Sequence, residues 1–209
     1  MLVMIAVAGA RAAKRAGLDT VAVKSIAAIV ERRTRAPKVT ARALKARLSL
    51  LARLEKQGLT LLPARFGTTA ATPAALRALL APQAPALAEA LARLRQRRQM
   101  TIRVRGTRPA PNRRSGAAYL ASLAGAARLP EADPLRRAVA EFVVDERVEP
   151  SPRAGFLGAV HHLVDTRDVA AYPSAVARAA RRAPGTFLVT GPMIPFAFVP
   201  ALDSGEGAS

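Results

Sequence analysis

The sequence has no cysteine and no tryptophan among its 209 residues. Without thiols there is no disulfide, no thiolate metal site and no cysteine nucleophile. That usage fits a reducing compartment, so a cytoplasmic protein is expected. Aromatics make up 4% of the chain, and the core must be built mainly from alanine, leucine and valine. Only two histidines occur, His161 and His162. Neighbours on a strand point to opposite faces, so the two cannot share one metal ion. Asp145 and Glu146 are adjacent in the same way and are unsuited to paired acid–base work. No glycine-rich loop matches the Walker or Rossmann phosphate-binding patterns. The expectation is a protein that is not an enzyme, with no cofactor, no metal site and no small-molecule substrate. No apolar run reaches the roughly 18 residues needed to cross a bilayer. The opening MLVMIAVAGA carries its first arginine after the apolar run, so it reads as a buried first strand and not as a signal peptide.

Acidic residues are also scarce, 14 against 33 lysines and arginines, and the net charge is +19. The excess is uneven. Residues 1–105 hold 21 basic and 4 acidic residues, a net of +17, while residues 106–209 hold 12 and 10. Two units with different surfaces are implied. Drift toward arginine and alanine explains such an excess as readily as attraction to an acidic partner, nucleic acid or anionic lipid does. Half of the chain is apolar, enough to bury a sizeable core.

Strand and helix signals alternate along the chain. After the first strand, 20–33 reads as one central strand, alternating at first and then wholly apolar. Leu44, Leu48, Leu51 and Leu54 form one stripe of a helix over 41–56, with Gly58 just past its end. A short buried strand over 59–63 and a turn-rich loop over 64–71 follow. Thr72-Pro73 opens a second helix and Pro85 a third, which ends in the cations of 95–98. Met100 to Arg105 alternates as a half-buried strand. A proline-containing loop over 106–114 leads to a helix capped by Ser115 and buried through Tyr119, Leu120 and Leu123. A helix capped by Asp133 carries Leu135, Val139 and Phe142 inward. Strands over 143–148 and 156–164, a helix over 168–182 and a strand over 186–190 complete the order. The second half thus reads strand, helices, strand, strand, helix, strand, the βαββαβ order of a ferredoxin-like split βαβ unit. The expected fold class is α+β. A basic α+β domain spans 1–98, a ferredoxin-like domain 99–200, and a disordered tail 201–209.

Two segments stand apart. In Leu62-Pro63-Ala64-Arg65-Phe66-Gly67-Thr68, Pro63 ends a strand and Gly67 permits a backbone closed to other residues. Arg65 and Phe66 are adjacent and point in different directions. Phe66 suits packing inward, with Arg65 paired to a carboxylate or carbonyl, or the pair suits a partner. In 190–199, Pro192 and Pro195 stiffen a stretch bearing Met193, Ile194, Phe196 and Phe198. These side chains suit a strand edge covering the core, or an exposed docking surface that needs a partner.

Together with Gly116 to Leu120 and His161 to Val164, the two segments resemble the gas vesicle protein L/F family. That family carries an LPxRFGT segment, a Tyr-Leu helix, a Tyr-Leu-Val-like strand and a Gly-Pro-Trp-Pro-Pro-Tyr-Ser-Phe-like end in this order. Here the first motif is intact, while Met193, Ile194, Phe196 and Ala197 depart from the last one. The resemblance implies two domains, an α+β unit and a ferredoxin-like unit. It implies a cytoplasmic accessory protein, associated with gas vesicles, that helps to nucleate or assemble their shells. The implied partners are the small hydrophobic shell protein and other accessory proteins. Arg65, Phe66, Met193, Ile194, Phe196 and Phe198 are the candidate protein-binding residues. The alternative is a basic nucleic-acid-binding protein. Against it, the charge lies on the first unit while the sheet that would stack bases lies on the second and lacks the aromatic pattern.

Overall fold

The structure, a computed structural model, describes residues 1–107 and 115–200. The expected loop over 106–114, apart from Gly106 and Thr107, and the expected tail over 201–209 lie outside the described residues. The described residues form two compact units, one from Met1–Arg95 with 194–200, the other from Gln96–Met193.

In the first unit, β1 (Leu2–Gly9) is buried at every position from Leu2 to Ala8. A strand covered on both faces reads as a continuous apolar run, which is what LVMIAVA provides. Beside it lies β3 (Ile26–Arg32), and β2 (Thr20–Val23) pairs with β3 on the outside. On the other edge of β1, β4 (Leu62–Pro63) and β5 (Thr69–Ala70) pair one after the other. All pairings in this sheet are antiparallel. The single strand expected over 20–33 is therefore a hairpin, and β1 takes the inner place. The turn at Lys24-Ser25 was not legible because it holds neither glycine nor asparagine; Lys24 adopts a positive φ of 54°.

Four helices accompany this sheet: α1 (Ala10–Arg15), α2 (Ala41–Lys56), α3 (Pro73–Leu80) and α4 (Ala84–Leu94). Thr40 caps α2 and Thr72 caps α3, each hydroxyl accepting from the backbone N–H three residues on at 3.1 Å. Leu51 and Leu54 of α2 pack with Ile5, Ala8, Ile29 and Leu59. The upper half of the stripe does not reach this core, since Leu44 and Leu48 are exposed. Helix α4 stops at Leu94, and Arg97 and Arg98 belong to the next strand instead of its last turn.

The second unit runs β6 (Arg97–Arg105), α5 (Gly116–Ala127), α6 (Asp133–Val139), β7 (Val143–Pro150), β8 (Phe156–Asp165), α7 (Tyr172–Ala180) and β9 (Thr186–Met193). Its sheet has the order β7-β8-β6-β9, antiparallel throughout. Met100, Ile102 and Val104 alternate toward a core that includes Leu135, Val139, Val160, Val164, Tyr172 and Val176. Asp133 is the first residue of α6 and not its cap; its carboxylate pairs with Arg136 one turn on at 2.8 Å. Helix α7 is shorter than expected, because the chain after Asp165 makes turns up to Ala171 before the helix begins.

Two differences bear on function. Ser115 caps α5 as expected, accepting from Ala118 N–H at 3.1 Å, but α5 buries none of its residues. Tyr119, Leu120 and Leu123 are exposed at 37%, 65% and 43%. Their spacing marks a helix face, but spacing does not say whether a face is covered. The second difference is at the other end. Ile194, expected in the second domain, packs with Ile5, Ala8 and Leu51 of the first unit.

Candidate functional site

The LPARFGT segment is built onto the edge of β1. Leu62 and Pro63 pair with Val7 and Ala6, and Thr69 and Ala70 pair with Val3 and Leu2. Between them the chain turns away. Ala64 N–H donates to the Ile5 carbonyl at 3.1 Å, and Met4 N–H donates to the Thr68 carbonyl at 2.9 Å. Thr68 closes the turn by donating to the Arg65 carbonyl from both its N–H and its hydroxyl, at 3.2 and 2.9 Å. Gly67 holds a φ of 89°, which a side chain would strain.

Opposite this turn, β1 slips register against β3 between Met4 and Ala6. Such a bulge disrupts the ladder locally. Arg47 of α2 bonds the backbone there. Its Nη2 donates to the carbonyls of Met4 at 2.8 Å and Ala64 at 3.3 Å, and also to that of Ile5. One guanidinium therefore ties the helix, the bulge and the motif together. Burial pushes the Arg47 pKa below its ordinary value, and the nearby Glu31 charge opposes that shift.

These elements line an open groove of about 600 Å³. Val3, Ile5, Leu50 and Phe66 supply apolar lining, and Arg33, Arg42, Arg47 and Arg53 supply cations against the single carboxylate of Glu31. Arg33 already forks onto Glu31, at 2.7 and 2.9 Å. Arg42 and Arg53 are exposed, and their guanidiniums have no hydrogen bond or ion pair among the described residues.

The candidate binding residues divide. Phe66 is half-buried and lines the groove, and Arg65 is exposed. Phe196 is exposed at 39%, and Met193 is half-buried with its sulfur 3.9 Å from Gln99 Nε2. Ile194 and Phe198 are buried to 5% and 2% exposure. Those two side chains sit within the structure and not on a surface.

The histidines do face opposite sides of β8. His161 Nδ1 lies 3.0 Å from Thr101 Oγ1, and its Nε2 lies 3.1 Å from Glu149 Oε2. His162 is fully buried; Tyr172 OH donates to its Nδ1 at 2.6 Å and its Nε2 donates to Glu146 Oε2 at 2.8 Å. Glu146 also receives Arg136 at 3.1 Å, so this chain of contacts links β7, β8, α6 and α7. Among the described residues, no three His, Asp or Glu side chains are placed to hold a metal ion.

Burial is the main effect on His162 and lowers its pKa, with Glu146 pulling the other way. The unfolded chain, at the ordinary value of about 6.5, then takes up the proton more readily than the folded one. Stability is therefore full above that pH and falls as the pH drops through it. His162→Gln should flatten the decline of melting temperature between about pH 7.5 and 5. Equal declines in the two proteins would contradict this assignment.

The family model described as gas vesicle synthesis protein GvpL/GvpF matches residues 6–124. The chain belongs to that family. Among solved structures, the gas vesicle protein GvpF from Microcystis aeruginosa superposes with a TM-score of 0.74 at 12% identity, over 96% of this chain and 99% of that one. GvpF from Anabaena sp. PCC7120 gives 0.71 at 11% identity, over 96% and 98%. At such identities these structures share the fold, a mixed α/β chain with two antiparallel sheets. No curated protein matches the chain. For a GvpL/GvpF member, the intact LPARFGT segment lies within the matched span, as does most of α5.

Proposed function

We propose that this chain is an accessory factor of gas vesicle assembly that binds the small hydrophobic shell subunit and helps add it to the growing shell. Family membership supports the gas vesicle setting. The observation that carries the binding role is α5. It holds twelve residues without a charge, in a chain of net charge +19, and leaves Tyr119, Leu120 and Leu123 in solvent. An exposed apolar surface of this kind calls for a partner. A shell subunit needs the same service in reverse, because its own apolar face would aggregate before assembly. Arg65, Phe66 and Phe196 in the first unit and Met193 in the second are each accessible to a partner, and each is a proposed binding residue in its own unit. Ile194 and Phe198 are buried and are left out of that set. The site of action in this reading is the cytoplasm, at gas vesicles, beside other accessory proteins.

The ferredoxin-like reading of the second unit is part of this proposal. Its support is the order β7-β8-β6-β9 with a helical connection after β6 and another after β8.

The test replaces Leu120 and Leu123 together with serine and measures affinity for immobilised shell subunit. Each exposed leucine is open to solvent, so the melting temperature should change little. Affinity should fall by about tenfold or more. Unchanged affinity in the double variant would refute the role of α5.

A further inference from the structure

We infer that the groove between β1 and α2 takes a short amphipathic segment of a partner protein, one that carries carboxylates on either side of apolar side chains. This deepens the proposed function and rests on its reading that Phe66 faces a partner; it does not depend on α5.

Three properties of the groove select this occupant. Its lining includes Val3 and Ile5 of β1, Leu50 of α2 and Phe66 of the motif, an apolar floor that favours hydrocarbon. Its volume, about 600 Å³, suits a few side chains and not a folded surface. Two of its cations are not neutralised. Glu31 is occupied by Arg33, and Arg47 is occupied by three backbone carbonyls. Arg42 and Arg53 have no such duty and stand exposed at its sides. They are eleven residues apart on one helix, so about 16 Å separates them along its axis. Two carboxylates at that separation would lie about eleven residues apart in a helical partner, or about five in an extended one.

Other occupants fit less well. A second copy of this chain would bring another +19 to the same place. A nucleic acid would be drawn to the arginines, but the aliphatic floor between them gives nothing to a phosphate backbone. An acidic amphipathic segment uses both features, with its apolar side chains on the floor and its carboxylates on the Arg42 and Arg53 forks.

The experiment uses the full chain and fluorescence anisotropy with a labelled helical peptide. The probe carries leucines along one face and glutamates at two positions eleven residues apart. A matched peptide carries lysines at those positions. The proteins are the wild type, Arg42→Glu with Arg53→Glu, and a control with Arg153→Glu and Arg178→Glu, exposed positions in the second unit. The glutamate peptide should bind the wild type about tenfold or more tightly than the lysine peptide. The groove variant should lose that advantage at an unchanged melting temperature, and the control should keep it. An equal loss in the control would mean diffuse charge attraction and would overturn the inference. So would displacement of the peptide by random single-stranded DNA at equal concentration. Binding of the shell subunit by the wild type without binding of the peptide overturns the groove inference alone. Binding of the peptide without the shell subunit supports the groove and removes only the shell-subunit reading.

Discussion

Gly158→Ala is expected to disrupt the second unit more than any substitution at its surface. Gly158 lies on β8, with β7 on one side and β6 on the other, paired with both Pro150 and Val104. Its φ of 147° is one that residues with a Cβ rarely adopt. An added methyl would also meet the Glu149 carbonyl oxygen at 2.4 Å, with Pro150 Cα and Leu129 Cδ1 at 2.9 Å. Two of these atoms are backbone, so no side-chain rotation relieves the clash. Backbone strain of about 1–3 kcal/mol and overpacking of about 1–3 kcal/mol act together here. A domain of ordinary stability, about 5–15 kcal/mol, would lose a large share of it. Urea unfolding of the variant against the wild type measures the loss. A midpoint within error of the wild type would contradict the packing described for β7 and β8.

Phe198→Ala is the second large effect, and it separates two readings of the same residue. As a docking residue, Phe198 would be dispensable for folding. It is instead 2% exposed, in the short 3-10 turn Phe196–Phe198, whose backbone closes through Phe198 N–H to the Pro195 carbonyl at 3.1 Å. Removing a buried phenyl ring costs about 3–5 kcal/mol. In a chain of this length, the melting temperature should fall by roughly 10 °C. Phe196→Ala, two residues away and 39% exposed, should leave melting nearly unchanged. Similar melting losses in both variants would show that the turn does not divide into a buried and a free face.

Much of the fold was legible because local signals coincided with local structure. The helix Ala41–Lys56 follows from a threonine cap, leucines at three- and four-residue steps and a glycine past its end. Thr72 and Ser115 mark their helices in the same way. The strict alternation of Met100, Ile102 and Val104 predicts their burial on one face of β6. What stayed hidden depends on contacts distant in sequence. The Lys24 turn splits what reads as a single strand, because a lysine takes a conformation that usually announces itself with glycine. Leucine spacing predicts a face on α5 and on the first half of α2, but nothing within either helix tells whether another element covers it. Ile194 is claimed by residues near the start of the chain, so a boundary drawn along the sequence could not place it.

The candidate site shows the same division. Phe66 and Arg65 stood out through a motif with a defined turn. Arg47 did not, because its role comes from the bulge in β1, forty-three residues away. Arg42 and Arg53 fall off the stripe of Leu44, Leu48, Leu51 and Leu54. Their significance appears only with Val3, Ile5 and Phe66 beside them.

The proposal at the centre of this account is that the protein binds the hydrophobic shell subunit through α5. It is tested most directly by diluting denatured shell subunit into buffer with and without equimolar protein and centrifuging the mixtures. The account predicts that the shell subunit stays in the supernatant only with the protein, in a complex that the Leu120 and Leu123 double variant fails to form. Sedimentation of the shell subunit to the same extent with and without the protein would contradict it.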